Sequence, residues 1–204
     1  MVSKKRLLGG RLLVKDFKDF LVNSYMQNHK ENIGKFIYDP LLSDNEVQVY
    51  YSPKQIVVVH RGSATLKDFF TDYKLLKNSN FKNSRVRKSI NVIDKVIEKY
   101  PGRMITSIGH SLAGFLASLT DKVFESIGLN SYIPPGEAGK TIPDNEFLVR
   151  SQLDVPSVLE KTQKRNPNGV ITIPASTSNL LTEHSYEILN RLNQDAYIGR
   201  EPSL

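Results

Sequence analysis

The stretch MITSIGHSLAGFL, residues 104–116, constrains the fold of this chain more than any other. Its first five residues are mostly apolar or β-branched, which predicts a buried strand. Gly109 and Ala113 lie two residues on either side of Ser111, and small residues there allow a sharp turn from a strand into a helix. Such a turn exposes the serine oxygen above the edge of a sheet. We therefore treat Ser111 as a candidate nucleophile.

Predicted strands and helices alternate on both sides of this turn. Residues 46–51 alternate with period two, and residues 55–60 form a continuous apolar run, which together predict a hairpin that includes a central strand. Further strands are predicted over residues 126–130, 146–150 and 170–173, and helices over residues 15–29, 66–76, 85–99, 112–123 and 183–192. This order predicts one α/β domain over residues 15–204, with a mostly parallel sheet, an N-terminal antiparallel hairpin and helices on both faces.

Composition excludes several classes of protein. The 204 residues are 39% apolar and 24% charged, which fits a globular domain. The sequence contains no run of about 18 apolar residues, so no membrane span is predicted. The chain has no cysteine, which excludes disulfides and thiolate catalysis and favours an intracellular, cytoplasmic location. The net charge of +7 is explained by solubility, although attraction to an anionic membrane surface fits a lipid substrate. Because the basic clusters lack interleaved aromatic residues, nucleic-acid binding is disfavoured.

The first residues of the chain predict a basic arm. Residues 1–14 are basic and then apolar, and they lack the long apolar region of a signal peptide. Within the arm, Leu7-Leu8-Gly9-Gly10 matches the aliphatic-x-Gly-Gly cleavage pattern of adenovirus-type and deubiquitinase-like proteases. A simple flexible turn explains the same four residues and is the favoured interpretation.

A serine nucleophile needs a base, and the chain has four histidines. His110 is adjacent to Ser111 and would point away from it in a sharp turn. His29 follows a polar helix end, and His60 ends a central strand with no acid partner in view. His184 comes after the last strand, at the start of the last helix, which is where the base lies in the α/β-hydrolase order. We favour His184 over the alternative of a surface histidine.

The third member of such a site is an acid that orients the histidine. Asp154 follows the strand predicted over residues 146–150, and Pro156 restricts the loop behind it. Asp144 and Glu146 are rivals, but they precede this strand and would lie at the opposite edge of the sheet. With Asp154, the serine, acid and histidine follow one another in the α/β-hydrolase order.

Two donors are candidates for an oxyanion hole. The backbone N–H of Leu112 follows the nucleophile directly and lies at the start of a predicted helix. Ser63, in the turn Arg61-Gly62-Ser63, follows a central strand and offers both its N–H and its hydroxyl. The alternative for Ser63 is an N-cap of the helix predicted over residues 66–76.

These segments resemble the class three lipases, the fungal-type triacylglycerol lipases of the α/β-hydrolase superfamily. Residues 56–63 resemble the family's strand and oxyanion loop, and residues 108–114 resemble its Gly-His-Ser-Leu-Gly-Gly elbow. Residues 150–156 and His184 resemble its acid loop and terminal base. The compact length and the sequence HSYEIL at residues 184–189 resemble short lipase-like proteins of large DNA viruses most closely.

The resemblance implies a serine acyl-ester hydrolase: a lipase, phospholipase or esterase that acts through an acyl-enzyme. It implies a Ser111-Asp154-His184 triad, a lipid or other ester substrate, and no metal or organic cofactor. The viral likeness adds the host-cell interior and the virion as expected locations. A peptidase or thioesterase on the same triad is a further alternative, because the predicted loops 131–145 and 155–169 carry no readable motif.

The chain departs from the family in two places. Ala113 stands where the elbow of the family has glycine, so an additional methyl group must fit there. Leu66, Phe69 and Phe70 occupy the family's lid region, but core packing explains them equally well and few residues are available for a large lid. Ala113 and the short chain motivate a second function: a catalytically silent lipase fold that serves as a structural or interaction protein, such as a component of a virus particle. A His184 beyond hydrogen-bond reach of Ser111 would favour it.

Overall fold

The computed structural model describes residues 12–63, 84–132, 143–154 and 169–199. The helix predicted over residues 66–76, with Leu66, Phe69 and Phe70, lies outside the described residues. So do the Gly-Gly segment of the arm, the basic loop after Asp154 and most of the loop predicted over residues 131–145.

Strands β2 to β9 form one eight-stranded sheet in the order β2-β3-β4-β5-β6-β7-β8-β9 among the described residues. Neighbours from β2 to β5 pair antiparallel, and those from β5 to β9 pair parallel. The strands are β1 (Leu12–Leu13), β2 (Asn32–Ile33), β3 (Phe36–Tyr38), β4 (Val47–Tyr51), β5 (Gln55–His60), β6 (Met104–His110), β7 (Glu125–Leu129), β8 (Glu146–Ser151), β9 (Val170–Ile173) and β10 (Tyr197–Ile198). The predicted β4–β5 hairpin is confirmed, with Val47 opposite His60.

The described helices flank this sheet. They are α1 (Val14–Ser24), α2 (Ser84–Lys99), α3 (Leu112–Ala117) and α4 (Leu180–His184), followed by a 3₁₀ helix (Tyr186–Arg191). None of the helices in the described ranges is long and apolar enough to cross a membrane.

Apolar clusters cover both faces of the sheet. Strand β5 is buried along its whole length, and its alternate residues face opposite sides. Val57 and Val59 pack in the cluster that contains Phe17 and Phe20 of α1. Ile56 and Val58 pack with α2 in a second cluster, which contains Val92, Ile93 and Val96. The predicted fold class, a mostly parallel sheet with an N-terminal antiparallel part and helices on both faces, is confirmed.

Helix ends differ from the prediction where serine side chains compete with the helical pattern. Helix α3, predicted to reach residue 123, ends at Ala117, because Ser118 turns back and its hydroxyl donates to the carbonyl of Phe115 at 3.1 Å. The helix predicted over residues 183–192 is instead α4 and a 3₁₀ helix, separated by Ser185 in an extended conformation. Ser185 caps the 3₁₀ helix, since its hydroxyl accepts from the N–H of Glu187.

The end of the predicted arm belongs to the folded part of the chain. Leu12 and Leu13 form β1, which pairs antiparallel with β10, and Leu12 and Val14 are completely buried. Helix α1 begins at Val14 and ends at Ser24, five residues before the predicted end. Residues 12–14 of the predicted arm therefore pack against the rest of the domain, and β1 finds its partner about 185 residues away in the sequence.

Parallel pairing brings four chain segments to one edge of the sheet. His60 of β5 is in register with Gly109 of β6, and His110 is in register with Leu129 of β7. Leu129 in turn pairs with Val149 of β8. Because the carboxyl ends of parallel strands meet at the same edge, the residues after β5, β6, β7 and β8 converge there.

Candidate active site

Ser111 occupies a strained turn between β6 and α3. Its backbone has φ 59° and ψ −125°, a combination that residues other than glycine rarely adopt. Three backbone hydrogen bonds hold it there: the N–H of Ser111 donates to Leu129 at 2.9 Å, and its carbonyl accepts from Gly114 and Tyr132 at 3.0 Å each. The turn predicted at Ser111 therefore exists, and the loop after β7 supports it.

The close packing of this turn falls on Gly109 and Gly114. A Cβ atom at Gly109 would lie 2.1 Å from the carbonyl oxygen of Ala113, and one at Gly114 would lie 1.9 Å from the hydroxyl of Ser131. Ala113 itself lies within α3 and is completely buried, so the fold accommodates its methyl group. The sequence pointed to residue 113 as the tight position, whereas Gly114, one residue later, faces the tighter space.

His184, Asp154 and Ser111 form one continuous hydrogen-bonded row. Nε2 of His184 lies 3.0 Å from Oγ of Ser111, and Nδ1 lies 2.5 Å from Oδ1 of Asp154. Asp154 has no exposed surface, and Ser111 is 5% exposed. A carboxylate on Nδ1 fixes the tautomer in which Nε2 can accept a proton from the serine. The structure thus brings together all three residues that the sequence nominated.

The position of Asp154 follows from the direction of β8. The chain turns directly after this strand, and the N–H of Asp154 donates to the carbonyl of Ser151 at 3.3 Å. Asn130, at the end of β7, accepts from the N–H of Ser151 at 2.9 Å and thereby ties the two loops together. The rival Glu146 begins β8 and the rival Asp144 precedes it by two residues, so both lie at the amino-terminal end of this strand.

A buried ion pair, missed in the sequence, holds the helix that carries His184. Glu183 is completely buried and accepts two hydrogen bonds from the guanidinium of Arg191, at 2.8 and 2.9 Å. The hydroxyl of Ser151 and the N–H groups of Ser176 and Thr177 also donate to it. The bonds from Arg191 lower the pKa of Glu183 to about 2, against the opposing effect of burial.

The other three histidines have partners that exclude them as the base. Nδ1 of His29 lies 3.3 Å from the backbone carbonyl of Asn23, so this ring is bonded to α1 and takes no part in the row of Ser111, His184 and Asp154. His60 lies between the hydroxyls of Ser89 and Ser107, at 3.2 and 3.1 Å, and burial lowers its pKa to about 3.

His110 lies behind the nucleophile rather than beside its hydroxyl. Its Nε2 lies 2.6 Å from the backbone carbonyl of His184, and its Nδ1 lies 3.1 Å from the hydroxyl of Tyr25. Burial, followed by the nearby His184 ring, lowers the pKa of His110 to about 3. The expectation that this side chain points away from Ser111 agrees with these contacts.

The predicted oxyanion loop lies at the same edge as the row. Gly62 approaches so closely that a Cβ atom there would lie 2.4 Å from the hydroxyl of Tyr25 and 2.7 Å from the carbonyl of His110. Ser63 follows it and is half-buried. Leu112 begins α3, where the first N–H groups have no acceptor within the helix. The N-cap alternative for Ser63 concerns a helix outside the described residues.

No group of three or more histidine, aspartate and glutamate side chains in the described part of the chain could hold a metal ion.

Comparisons with known proteins return structural neighbours only. No family model matches the chain, and no curated protein matches it. The Lip2 lipase from Yarrowia lipolytica aligns with a TM-score of 0.48 and 17% identity, over 78% of this chain and 77% of that one. The Rhizomucor miehei lipase in its propeptide complex aligns with a TM-score of 0.44 and 15% identity, over 70% of this chain and 60% of the other. A fungal lipase in complex with an inhibitor aligns with a TM-score of 0.43 and 15% identity, over 68% of this chain and 69% of its own.

All three neighbours are fungal-type lipases, which is the group that the sequence resembles. None of the three is viral. At these identities and scores the alignments assign no activity to this chain, so its function has to be argued from its own residues.

Proposed function

We propose that this protein is a serine acyl-ester hydrolase with Ser111 as nucleophile, His184 as base and Asp154 as the orienting acid. One observation carries the proposal: the serine at the strained turn, the histidine and the buried carboxylate are joined by contacts of 3.0 and 2.5 Å. Nucleophile, base and orienter within hydrogen-bond reach of one another are the arrangement that acyl transfer requires.

In the acylation step, Oγ of Ser111 attacks the ester carbonyl while Nε2 of His184 takes the hydroxyl proton. The carbonyl oxygen becomes an oxyanion, and the imidazolium is stabilised by Asp154 on Nδ1. When the tetrahedral intermediate collapses, the alcohol leaves with the proton from Nε2 and the acyl group stays on the serine. A water molecule then gives its proton to His184, attacks the acyl-enzyme and releases the carboxylic acid.

The oxyanion is bound by two donors in this mechanism. The N–H of Leu112 is the first, because it belongs to the first turn of α3 directly after the nucleophile. Ser63 is the second, since it ends the loop that Gly62 allows to approach His110. Removing one such donor typically costs about 10²- to 10³-fold in kcat.

Apolar side chains next to the acid and the base support an ester with an apolar acyl chain. Leu180 and Leu181 precede His184 by one helical turn in α4, and they are 48% and 59% exposed. Leu153, next to Asp154, is 39% exposed. Apolar surface around a reacting serine suits a lipid or another acyl ester and its contact with a lipid surface.

The alternative of a catalytically silent fold rests on Ala113 and on the short chain, and a His184 beyond reach of Ser111 would favour it. Ala113 is buried within α3, and the contact from His184 to Ser111 is 3.0 Å, so this geometry does not favour the alternative. A peptidase or thioesterase would use the same three residues, so a panel of substrates has to distinguish these activities.

The test is covalent labelling with a fluorophosphonate together with a panel of p-nitrophenyl esters of short and long acyl chains. We expect labelling and turnover in the wild type and neither in Ser111→Ala. A thioester and a peptide amide in the same panel separate esterase from thioesterase and peptidase activity. Labelling that persists in Ser111→Ala, or a folded wild type that turns over no ester, would contradict the proposal.

A further inference from the structure

His110 joins two parts of the candidate site that the catalytic row does not connect. Its Nε2 lies 2.6 Å from the carbonyl of His184, and a carbonyl can only accept, so the proton of the neutral ring is on Nε2. Nδ1 is then an acceptor, and the hydroxyl of Tyr25, 3.1 Å away, donates to it. The burial that lowers the pKa of His110 keeps the ring neutral and this direction fixed.

Tyr25 continues the same chain of contacts to the oxyanion loop. Its hydroxyl oxygen packs directly against the backbone of Gly62. Burial raises the pKa of Tyr25 to about 12, so the hydroxyl remains a donor at neutral pH. Gly62 has to be glycine here, because a Cβ atom would lie 2.4 Å from the Tyr25 oxygen.

The two ends of this chain of contacts lie at the base and at the oxyanion loop. His184 is the last residue of the five-residue helix α4, so its carbonyl has no acceptor role within the helix. At the other end, the N–H of Arg61 donates to the Glu46 carbonyl at 2.8 Å, and Gly62 follows it and packs against Tyr25. Tyr25 lies at the end of α1, an element that contributes nothing to the catalytic row.

We propose that Tyr25 and His110 form a positioning relay that runs from Gly62, packed against the Tyr25 hydroxyl, through Tyr25 and His110 to the His184 carbonyl, and that sets the oxyanion loop and the base relative to Ser111. This inference rests on the proposed function. Neither residue touches the reacting atoms, so both act through the groups that they hold. Loss of the relay lowers kcat more than it raises KM, because it displaces groups that matter most in the transition state.

Two substitutions at residue 110 separate the two ends of the relay. The amide nitrogen of His110→Gln reaches the position of Nε2 and keeps a donor for the His184 carbonyl, but it loses the acceptor for Tyr25. The amide oxygen of His110→Asn reaches the position of Nδ1 and keeps the bond from Tyr25, but it loses the donor for the base. We expect His110→Asn to lower kcat about tenfold more than His110→Gln.

Tyr25→Phe has a control in Tyr50→Phe. Tyr50 is a buried tyrosine whose hydroxyl accepts from Asn23 at 2.7 Å and donates to the Lys30 carbonyl at 3.0 Å. Tyr25→Phe should lower kcat and the rate of fluorophosphonate labelling about tenfold with KM within about twofold. Tyr50→Phe should lower thermal stability and leave both rates unchanged. Equal rates in wild type and Tyr25→Phe would overturn the relay.

Nitrogen-15 NMR of the histidine rings tests the relay independently of enzymatic activity. In the wild type, His110 should be the neutral Nε2–H tautomer between about pH 5 and pH 8. His110→Asn should shift the ring signals of His184, and Tyr50→Phe should not. If the wild type labels and the variants react at its rate, the relay is wrong and the proposed function stands. If the wild type does not label, the proposed function is wrong, and unshifted His184 signals in a folded His110→Asn variant would refute the relay as well.

Discussion

Nδ1 of His184 lies 2.5 Å from Oδ1 of Asp154, a carboxylate that is completely buried while the histidine is partly exposed. This difference in burial indicates which of the two residues orients the other. The aspartate is fixed by the protein around it, and the histidine ring takes its orientation from the aspartate. In the proposed mechanism, the reaction at Ser111 therefore depends on a carboxylate that does not contact the substrate.

Asp154→Asn should lower kcat for a p-nitrophenyl ester about 10³- to 10⁴-fold, because an amide stabilises the wrong tautomer of His184 and no longer stabilises its charge. Asp144→Asn is the matched control, since Asp144 lies before the opposite end of β8. It should keep wild-type turnover. Comparable kcat in the two variants would contradict the assignment of the acid.

Ser111→Gly should be more stable than Ser111→Ala by about 1 kcal/mol in urea unfolding, because glycine adopts φ 59° without strain and alanine does not. Both variants lack the hydroxyl and should be inactive. An alanine variant as stable as the glycine variant would mean that the turn stores no strain.

Ala113→Gly should not raise kcat, because the methyl group of Ala113 already fits within α3, and it should lower stability by about 1 kcal/mol. Gly109→Ala should be far more damaging, since its Cβ would lie 2.1 Å from the Ala113 carbonyl oxygen. Thermal melting and ester turnover of both variants check this. Faster turnover in Ala113→Gly would show that the alanine impairs the elbow.

Glu183→Gln should change how stability depends on pH. The pKa of Glu183 is lowered from 4.5 to about 2, so its contribution is complete above about pH 4.5 and is lost as the pH falls towards 2. The variant should lose about 2 kcal/mol at neutral pH and show a shallower loss of stability on acidification. Urea unfolding across this pH range is the measurement, and a curve parallel to that of the wild type would contradict it.

Ser111, Asp154 and His184 could be predicted because each follows a strand of a recognisable pattern. Parallel strands bring their carboxyl ends together, so the order along the chain carries information about position in space. The small residues around Ser111 are a local requirement and are visible locally. The sequence does not show that the space beneath the elbow is limited at Gly114, by Ser131.

Tyr25 and the Glu183–Arg191 pair could not be predicted in the same way. Tyr25 meets His110 across 85 residues, and this contact depends on how α1 lies over the sheet. Glu183 stands next to the base, and its only signal was an arginine eight residues later. That spacing places two residues on one face of a regular helix. Here Ser185 is extended and separates α4 from the 3₁₀ helix, so the pair depends on how these two helices pack and not on helical spacing.

The pairing of β1 with β10 places residues 12–13 beside residues 197–198. The hydrogen bonds between β1 and β10 therefore close the chain from residue 12 to residue 198 into a ring. A circular permutant with a short linker from Gly199 to Leu12, opened between β7 and β8, should preserve the parallel order from β5 to β7. Fluorophores attached next to β1 and β10 would lie close enough for efficient energy transfer. Their separation during unfolding would report whether the ring opens before the sheet that carries Ser111.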